Sequence, residues 1–519
     1  MKRSLVLLIL FFQFTFFAEG QVMFQQTYAA EGAHFVLQST DGGYFILGSI
    51  FNGSPAICFI KTDVDGNFIW AKAIDRGLLD DAGVSGQQTT DGGYIIVGYI
   101  TGGWDYDVYL IKTNLNGDTL WTKTLGGTYE DKGYSVQQTI DEGYIIVGET
   151  KSFGAGNNDV YLIKTDSSGN SLWAKTFGGT GFDFGEFVRQ TSDGGFIITG
   201  YTFLGTGIYD VYLIKTDANG DSLWTKTFGG NDVDIGYSVQ QTFDGGYIIV
   251  GSTKSFGAGN NDVYLIKTNS SGDTLWTKTF GGTGEDYGFS VVQTTDGGLV
   301  ICGSLQTAFN TDVYLIRTDA NGDSLWTKTY GGIGSNGLDH GGTVAQTIDG
   351  GFVIAGFTQF LGGGSTNAYL IKTDANGNSG CNEANPASTV TVPATLQTNP
   401  ATIVSSPNTI VSTELVSAWG GGYGITLCST LGIQSAVPNP ESVFIISPNP
   451  ARTSFTLTTF QYSLISAKIF STLGEEMYTS PLTTEMGIIQ INIGNYNPGI
   501  YFIKVETENG TSVQKLIKQ

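Results

Sequence analysis

Apolar and polar residues alternate along this chain in short runs, and the runs come in sets of four. Between Gly133 and Gly179 they are Gly133 to Thr139, Tyr144 to Gly148, Asp159 to Thr165 and Ser171 to Phe177. Alternation with a period of two, in β-branched and aromatic residues bounded by glycine-rich turns, predicts four short strands. The turn after the first run carries an Asp-Gly-Gly-aromatic signature at Asp41, Asp91, Asp141, Asp193, Asp244, Asp296 and Asp349. It is relaxed to Asp141-Glu142-Gly143 in one copy and is followed by Leu299 in another. A step of about fifty residues with four strands per unit predicts the blades of a propeller rather than helical repeats or β-helix coils.

The tryptophans show how the ring closes. Trp70, Trp121, Trp173, Trp224, Trp276 and Trp326 mark the fourth strand in six copies. The seventh copy stops after Tyr369 to Thr373 and runs into Gly377 to Cys381. The missing strand stands near the N-terminus, where Met23 to Tyr28 aligns with Leu120 to Leu125 and Phe24 takes the tryptophan position. An open fan of blades would leave bare strand edges. The fold predicted is all-β, a seven-bladed β-propeller over residues 21–378 whose N-terminal strand completes the last blade.

The ends of the chain address it. Lys2 and Arg3, an apolar run from Leu5 to Phe17, and Ala18-Glu19-Gly20 read as a signal peptide over residues 1–20. Its apolar core is too short for a membrane span, and no transmembrane segment is expected elsewhere. From Val443 glycine thins out and new alternating runs appear around Ser454 to Leu457, Ala467 to Phe470, Ile488 to Ile493 and Gly499 to Val505. They predict a small β-sandwich over residues 443–519. Its Pro448-Asn449-Pro450 start, the Gly474 turn, Pro498 to Tyr501 and the basic, apolar end at Lys515 to Gln519 resemble the type A C-terminal sorting domain of the type IX secretion system. That resemblance implies export through the periplasm and across the outer membrane by the type IX machinery, to a secreted or cell-surface destination. The plainer alternative is a fibronectin-like sandwich with a binding role. The repeats resemble secreted β-propellers with Asp-Gly-Gly-Tyr blades, which supports the fold and says little of function.

Residues 379–442, rich in Thr, Pro, Asn and Ser, read as a linker segment. Cys381 and Cys428 bracket it, and in an exported chain they are expected to form a disulfide. Cys58 and Cys302 replace strand residues and are expected to be buried thiols. A net charge of −22 and the absence of a basic cluster in the repeats exclude nucleic acid and anionic lipid as partners. His34 and His340 are the only histidines and no two cysteines lie close together, so no zinc site is expected, and no cofactor is expected beyond the Ca2+ considered below.

In a propeller the first-to-second and third-to-fourth strand turns share one face. Here those turns are uniform, while the opposite face carries dissimilar loops such as Thr101 to Tyr106, Lys151 to Asn157, Phe203 to Tyr209 and Leu361 to Gly364. Variable loops on a constant scaffold are where recognition is built. Trp104, Tyr106, Tyr129, Phe182, Phe184, Tyr209 and Tyr287 lie there beside acids and are the candidate ligand contacts, suited to sugar rings and their hydroxyls. For each ring the alternative is a plug between blades.

A carboxylate also stands ten residues before each Asp-Gly-Gly aspartate: Glu31, Asp81, Asp131, Asp183, Asp234, Asp286 and Asp339. Such a ring is either held by backbone N–H groups of its own glycine-rich loops or holds a cation such as Ca2+. A second repeated acid, Asp107, Asp159, Asp210, Asp262 and Asp312, becomes Asn367 in the last copy and reads as a loop cap. The Asp-x-Asn-Gly-Asp turns lack the later acid that would complete a calcium loop.

Chemistry is harder to find. The hairpin from Thr216 to Trp224 resembles the Asp-box of sialidase propellers, but its Asp-to-Gly spacing is one residue too long. Arg76, Arg189 and Arg317 are not placed as a carboxylate clamp. There is no nucleophile elbow, phosphate loop or histidine cluster. The reading is an exported, non-catalytic propeller that binds glycan or protein through its variable face. The alternatives are a secreted glycan-active hydrolase or lyase using loop carboxylates, or a purely structural surface component.

Overall fold

In the computed structural model, residues 22–429 and 444–518 are described except at 52–54, 76–80, 102–104, 204, 206–207, 308–309, 332–336, 360–365, 387–388, 394–395, 399–402, 406–409, 413–416, 420–423, 448–453, 460–463, 472–475, 485–487, 497–498 and 508–509. The signal peptide, Arg76, Trp104 and the Leu361 to Gly364 loop therefore lie outside the described residues. The chain divides into two compact units, residues 1–432 and 433–519.

The first unit is a seven-bladed propeller. Six of its seven sheets contain four strands from one repeat, antiparallel and in chain order from the axis outward, and the seventh contains three strands of the last repeat with Phe24–Tyr28 as its fourth. In blade 3 these are Asp131–Gln138, Tyr144–Thr150, Asp159–Thr165 and Ser171–Gly178. The second and third strands of blade 3 are buried at every position, because both faces of the sheet are covered by the neighbouring blades. Their near-continuous apolar runs follow from that two-sided burial. Ile95, Val97, Val108 and Leu110 of blade 2 pack in one cluster with Tyr144, Ile146, Tyr161 and Ile163 of blade 3.

The Asp-Gly-Gly turn is a structural device. Asp91 accepts from the Thr89 hydroxyl and the Gly93 N–H, and it pairs with the buried Lys112 ammonium 2.8 Å away. All seven blades repeat this pair, through Lys61, Lys112, Lys164, Lys215, Lys267 and Lys372, with Arg317 on Asp296 in the sixth. Partial burial favours the neutral acid, but bonds from Thr242, Lys267 and the Gly246 N–H outweigh it and bring the Asp244 carboxyl down to about 2.

Tryptophan joins blade to blade. Gly169, in the third-to-fourth turn of blade 3, has φ +77°, and a Cβ there would come within 2.7 Å of the Trp121 ring of blade 2. Phe24 completes the series. The strand Phe24–Tyr28 pairs antiparallel with Asn367–Thr373, with Phe24 opposite Lys372 just as Trp121 stands opposite Lys112.

The segment read as a linker, residues 379–442, carries strands of its own. Seven short strands each add a fifth, antiparallel member to one blade. Glu383–Ala384 joins blade 6, Thr389–Thr391 blade 5, Leu396–Thr398 blade 4, Ile403–Ser405 blade 3, Ile410–Ser412 blade 2 and Ser417–Trp419 blade 1. Gly424–Ser429 then pairs with Phe24–Tyr28 in blade 7. The chain thus runs once around the ring against the order of the repeats and covers every outer edge, the groups that would otherwise template aggregation. Gln397 reaches from this belt to the next blade, accepting from Thr274 N at 2.9 Å and donating to Gly272 O at 3.0 Å.

Cys381 is disulfide-bonded, and Gly424–Ser429 sets Cys428 opposite Gln25 in the strand register. Cys58 and Cys302 are free and buried; burial pushes the Cys58 thiol up to about 12.

The second unit contains two antiparallel sheets. One joins Phe444–Ser447, Ser454–Thr459 and Ile488–Asn492; the other joins Glu476–Thr484, Leu464–Ser471, Gly499–Thr507 and Gly510–Lys518. Ala467, Ile469, Ile491, Ile503 and Leu516 are buried in it. No helix among the described residues is long and apolar enough to cross a membrane.

Candidate binding channel

The seven innermost strands wall the axis of the ring, and each contains a β-bulge at the same place. A bulge inserts one unpaired residue and re-aims its side chain. The burial pattern records this: Asp131–Gln138 alternates buried and half-buried up to Tyr134, then changes phase. Glycine flanks the bulge for a steric reason. A Cβ on Gly133 would sit 2.6 Å from Val97 Cγ2 of the preceding blade.

The bulged residues are His34, Val84, Tyr134, Glu186, Tyr237, Phe289 and Gly342. Side chains of the outer three strands of each blade are nearly uniform from copy to copy, whereas these seven are not. They surround a chamber of about 310 Å³, together with Phe35, Phe187, His340 and Phe357. Both histidines of the chain line it, and neither stands among the aromatics and carboxylates that the sequence offers as site residues. His340 stacks on Phe357 with centroids 4.7 Å apart, and a His34 ring nitrogen lies 3.1 Å from Ser49 Oγ. Burial lowers the pKa of both imidazoles, which favours their neutral forms.

Two acids meet at the wall between blades 3 and 4. Glu149 is buried, and its oxygens accept from the Tyr134 hydroxyl at 2.8 Å and Asn158 Nδ2 at 2.7 Å, with Lys132 Nζ 3.6 Å away. Glu186 is half-buried, lines the chamber, and makes no hydrogen bond or ion pair among the described residues. Burial, with the Glu149 charge added, raises its carboxyl to about 7. Arg189 lies further along the same strand with its guanidinium 4.6 Å from the Phe187 ring centre, and burial lowers it to about 10.

The candidate aromatics fall into groups on the loop face. Phe184 stacks on Tyr201 at 4.6 Å, Phe182 lies between Phe184 and Phe203, and Tyr209 meets both Tyr201 and Phe203. Tyr287 stacks parallel to Phe289 at 5.8 Å, and its hydroxyl donates to Glu285. Tyr106 meets Tyr99 edge-on, and the Lys132 ammonium stands 4.8 Å from its ring centre. Tyr129 is 61 % exposed and stands apart from these groups.

The repeated carboxylates lie under the loops. Asp131, Asp183, Asp234 and Asp286 accept from the N–H of Gly127, Gly179, Gly230 and Gly282 at 2.6–2.9 Å. Asp81 and Asp339 are also buried, while Glu31 is exposed. The second repeated acid packs against the first of the next blade. A Cβ on Gly178 would meet Asp159 Oδ1 at 2.2 Å and Asp183 Oδ2 at 2.5 Å. Burial, then the Asp183 charge opposed by two backbone N–H bonds, brings the Asp159 carboxyl up to about 6. No group of three or more His, Cys, Asp or Glu among the described residues is placed to hold a metal ion.

Residues 445–519 match the family described as the secretion system C-terminal sorting domain. That domain marks the chain for export, to the exterior or the cell surface. No curated protein matches the chain. Among solved structures, it is similar to a protein of unknown function from Bacteroides caccae, at 12% identity over 58% of this chain and 93% of that one, with a TM-score of 0.32. It is also similar to Sqt1 from Chaetomium thermophilum, at 12% identity over 68% of this chain and 100% of that one, with a TM-score of 0.39.

Proposed function

We propose that this exported propeller is a non-catalytic binding protein that takes a saccharide at the loop-face mouth of its central channel. The observation that carries the reading is the contrast between a repeated scaffold and a varied channel wall. Seven near-identical blades present seven bulged positions filled by His34, Val84, Tyr134, Glu186, Tyr237, Phe289 and Gly342. A purely structural ring has no need of that variety. Stacked rings at Phe184 and Tyr201, and at Tyr287 and Phe289, offer faces for sugar C–H groups, and the Glu285 carboxylate is an acceptor for hydroxyls.

Binding without turnover is favoured over hydrolysis because a glycosidase needs two open carboxylates flanking one bond. Glu186 is open, but Glu149, the acid coupled to it, has both oxygens engaged. A glycan array on the purified mature protein, followed by a reducing-end assay on every ligand found, tests this. Binding with no release of reducing ends is expected; release abolished by Glu186→Gln would make the protein a hydrolase.

A further inference from the structure

We infer that the chamber below this mouth is a site for an organic cation, a protonated amine carried by the ligand and received by Glu186. The inference rests on the channel reading above and names the charged group that the ligand bears.

Four observations lead there. Glu186 lines the chamber and has no partner among the described residues. Glu149 behind it adds a second negative charge and offers it no hydrogen bond. The basic groups nearby leave the charge unmatched: Lys132 serves Glu149 and the Tyr99 and Tyr106 rings, Arg189 packs on Phe187, and His34 and His340 are held toward neutrality. Much of the rest of the wall is aromatic, with Tyr134, Tyr237 and Phe289 among its rings. Ring faces attract ammonium groups, and an apolar chamber strengthens an ion pair formed inside it. A neutral ligand would leave Glu186 unmatched, and an anion would be repelled by both acids. The chamber of about 310 Å³ suits one small ring or an aminoalkyl group.

The test uses the mature full-length chain and two probes of one shape, cyclohexylamine and cyclohexanol, titrated calorimetrically at pH 8. We expect the amine to bind at least tenfold more tightly, Glu186→Gln to erase the difference, and Glu186→Asp to keep part of it. Unfolding temperatures of both variants guard against a folding defect. Equal affinities, no binding of either probe, or a preference that survives Glu186→Gln would overturn the inference. Saccharide binding with no amine preference would overturn it while leaving the mouth reading intact. Amine preference without any saccharide binding would uphold it and remove the mouth reading.

Discussion

Phe24 and Gly66 seal the ring. Gly66 has φ +78°, and a Cβ there would lie 2.6 Å from Phe24 Cε2 and Cζ, the same close approach that Trp121 makes to Gly169. The ring closes because the N-terminal strand supplies the seventh blade with the one contact its own repeat lacks. Phe24 is fully buried, so Phe24→Ala should cost about 3–5 kcal/mol. Chemical denaturation of the variant measures this, and a loss below about 1 kcal/mol would show that the contact does not hold the ring.

Gln25 is the polar counterpart of that contact. Its Oε1 accepts from the Tyr369 hydroxyl and Asn382 Nδ2, and its Nε2 donates to Ser379 Oγ and Cys381 O. Gln25→Leu would remove these four bonds at the junction of N-terminal strand, last blade and belt and take from the buried Tyr369 hydroxyl the acceptor it has there. A loss of about 2–4 kcal/mol is expected. Thermal unfolding that matches the parent protein would contradict this role.

The belt makes its own prediction. A chain ending after Asn378 keeps all twenty-seven repeat strands and the N-terminal strand but uncovers seven outer edges. Size-exclusion chromatography should find it associating or aggregating where the full chain does not. A monodisperse monomer of full stability would mean that the belt is dispensable.

The inter-blade acids predict a pH dependence of known sign. Asp159 titrates at about 6 when folded and near 3.9 when unfolded, so the folded state holds the extra proton. The stability this proton provides is complete below about pH 4 and lost as pH rises through 6. Asp159→Asn removes the ionised form and should raise stability at pH 7.5 by on the order of 2 kcal/mol, with little gain at pH 4. Equal effects at the two pH values would refute the assignment.

Much of this architecture was legible because its signals are local and repeated. Asp-Gly-Gly turns give the count, and the tryptophan deficit predicts the closing strand by comparing one copy with the next. The belt was hidden by its composition, which resembles a linker, and by strands of three residues. A signal did exist: Thr389, Leu396, Ile403, Ile410, Ser417 and Gly424 begin successive strands at a constant step of seven.

The channel was harder to read. A bulge exists only against its partner strand, so a period-two reading assigns Glu186, Tyr134 and His34 no special direction. The alternation therefore gives no sign that Glu186 and His34 face the channel. The clue was one variable position immediately after the glycine or alanine of each innermost strand.

Ligand recognition at the channel mouth on the loop face is tested by comparing Phe184→Ala, at that mouth, with Phe243→Ala, 73 % exposed on the uniform turn face, against a saccharide selected on the array. At least a tenfold loss of affinity is expected for Phe184→Ala and none for Phe243→Ala. Equal affinities for both variants, or a loss confined to Phe243→Ala, would contradict it.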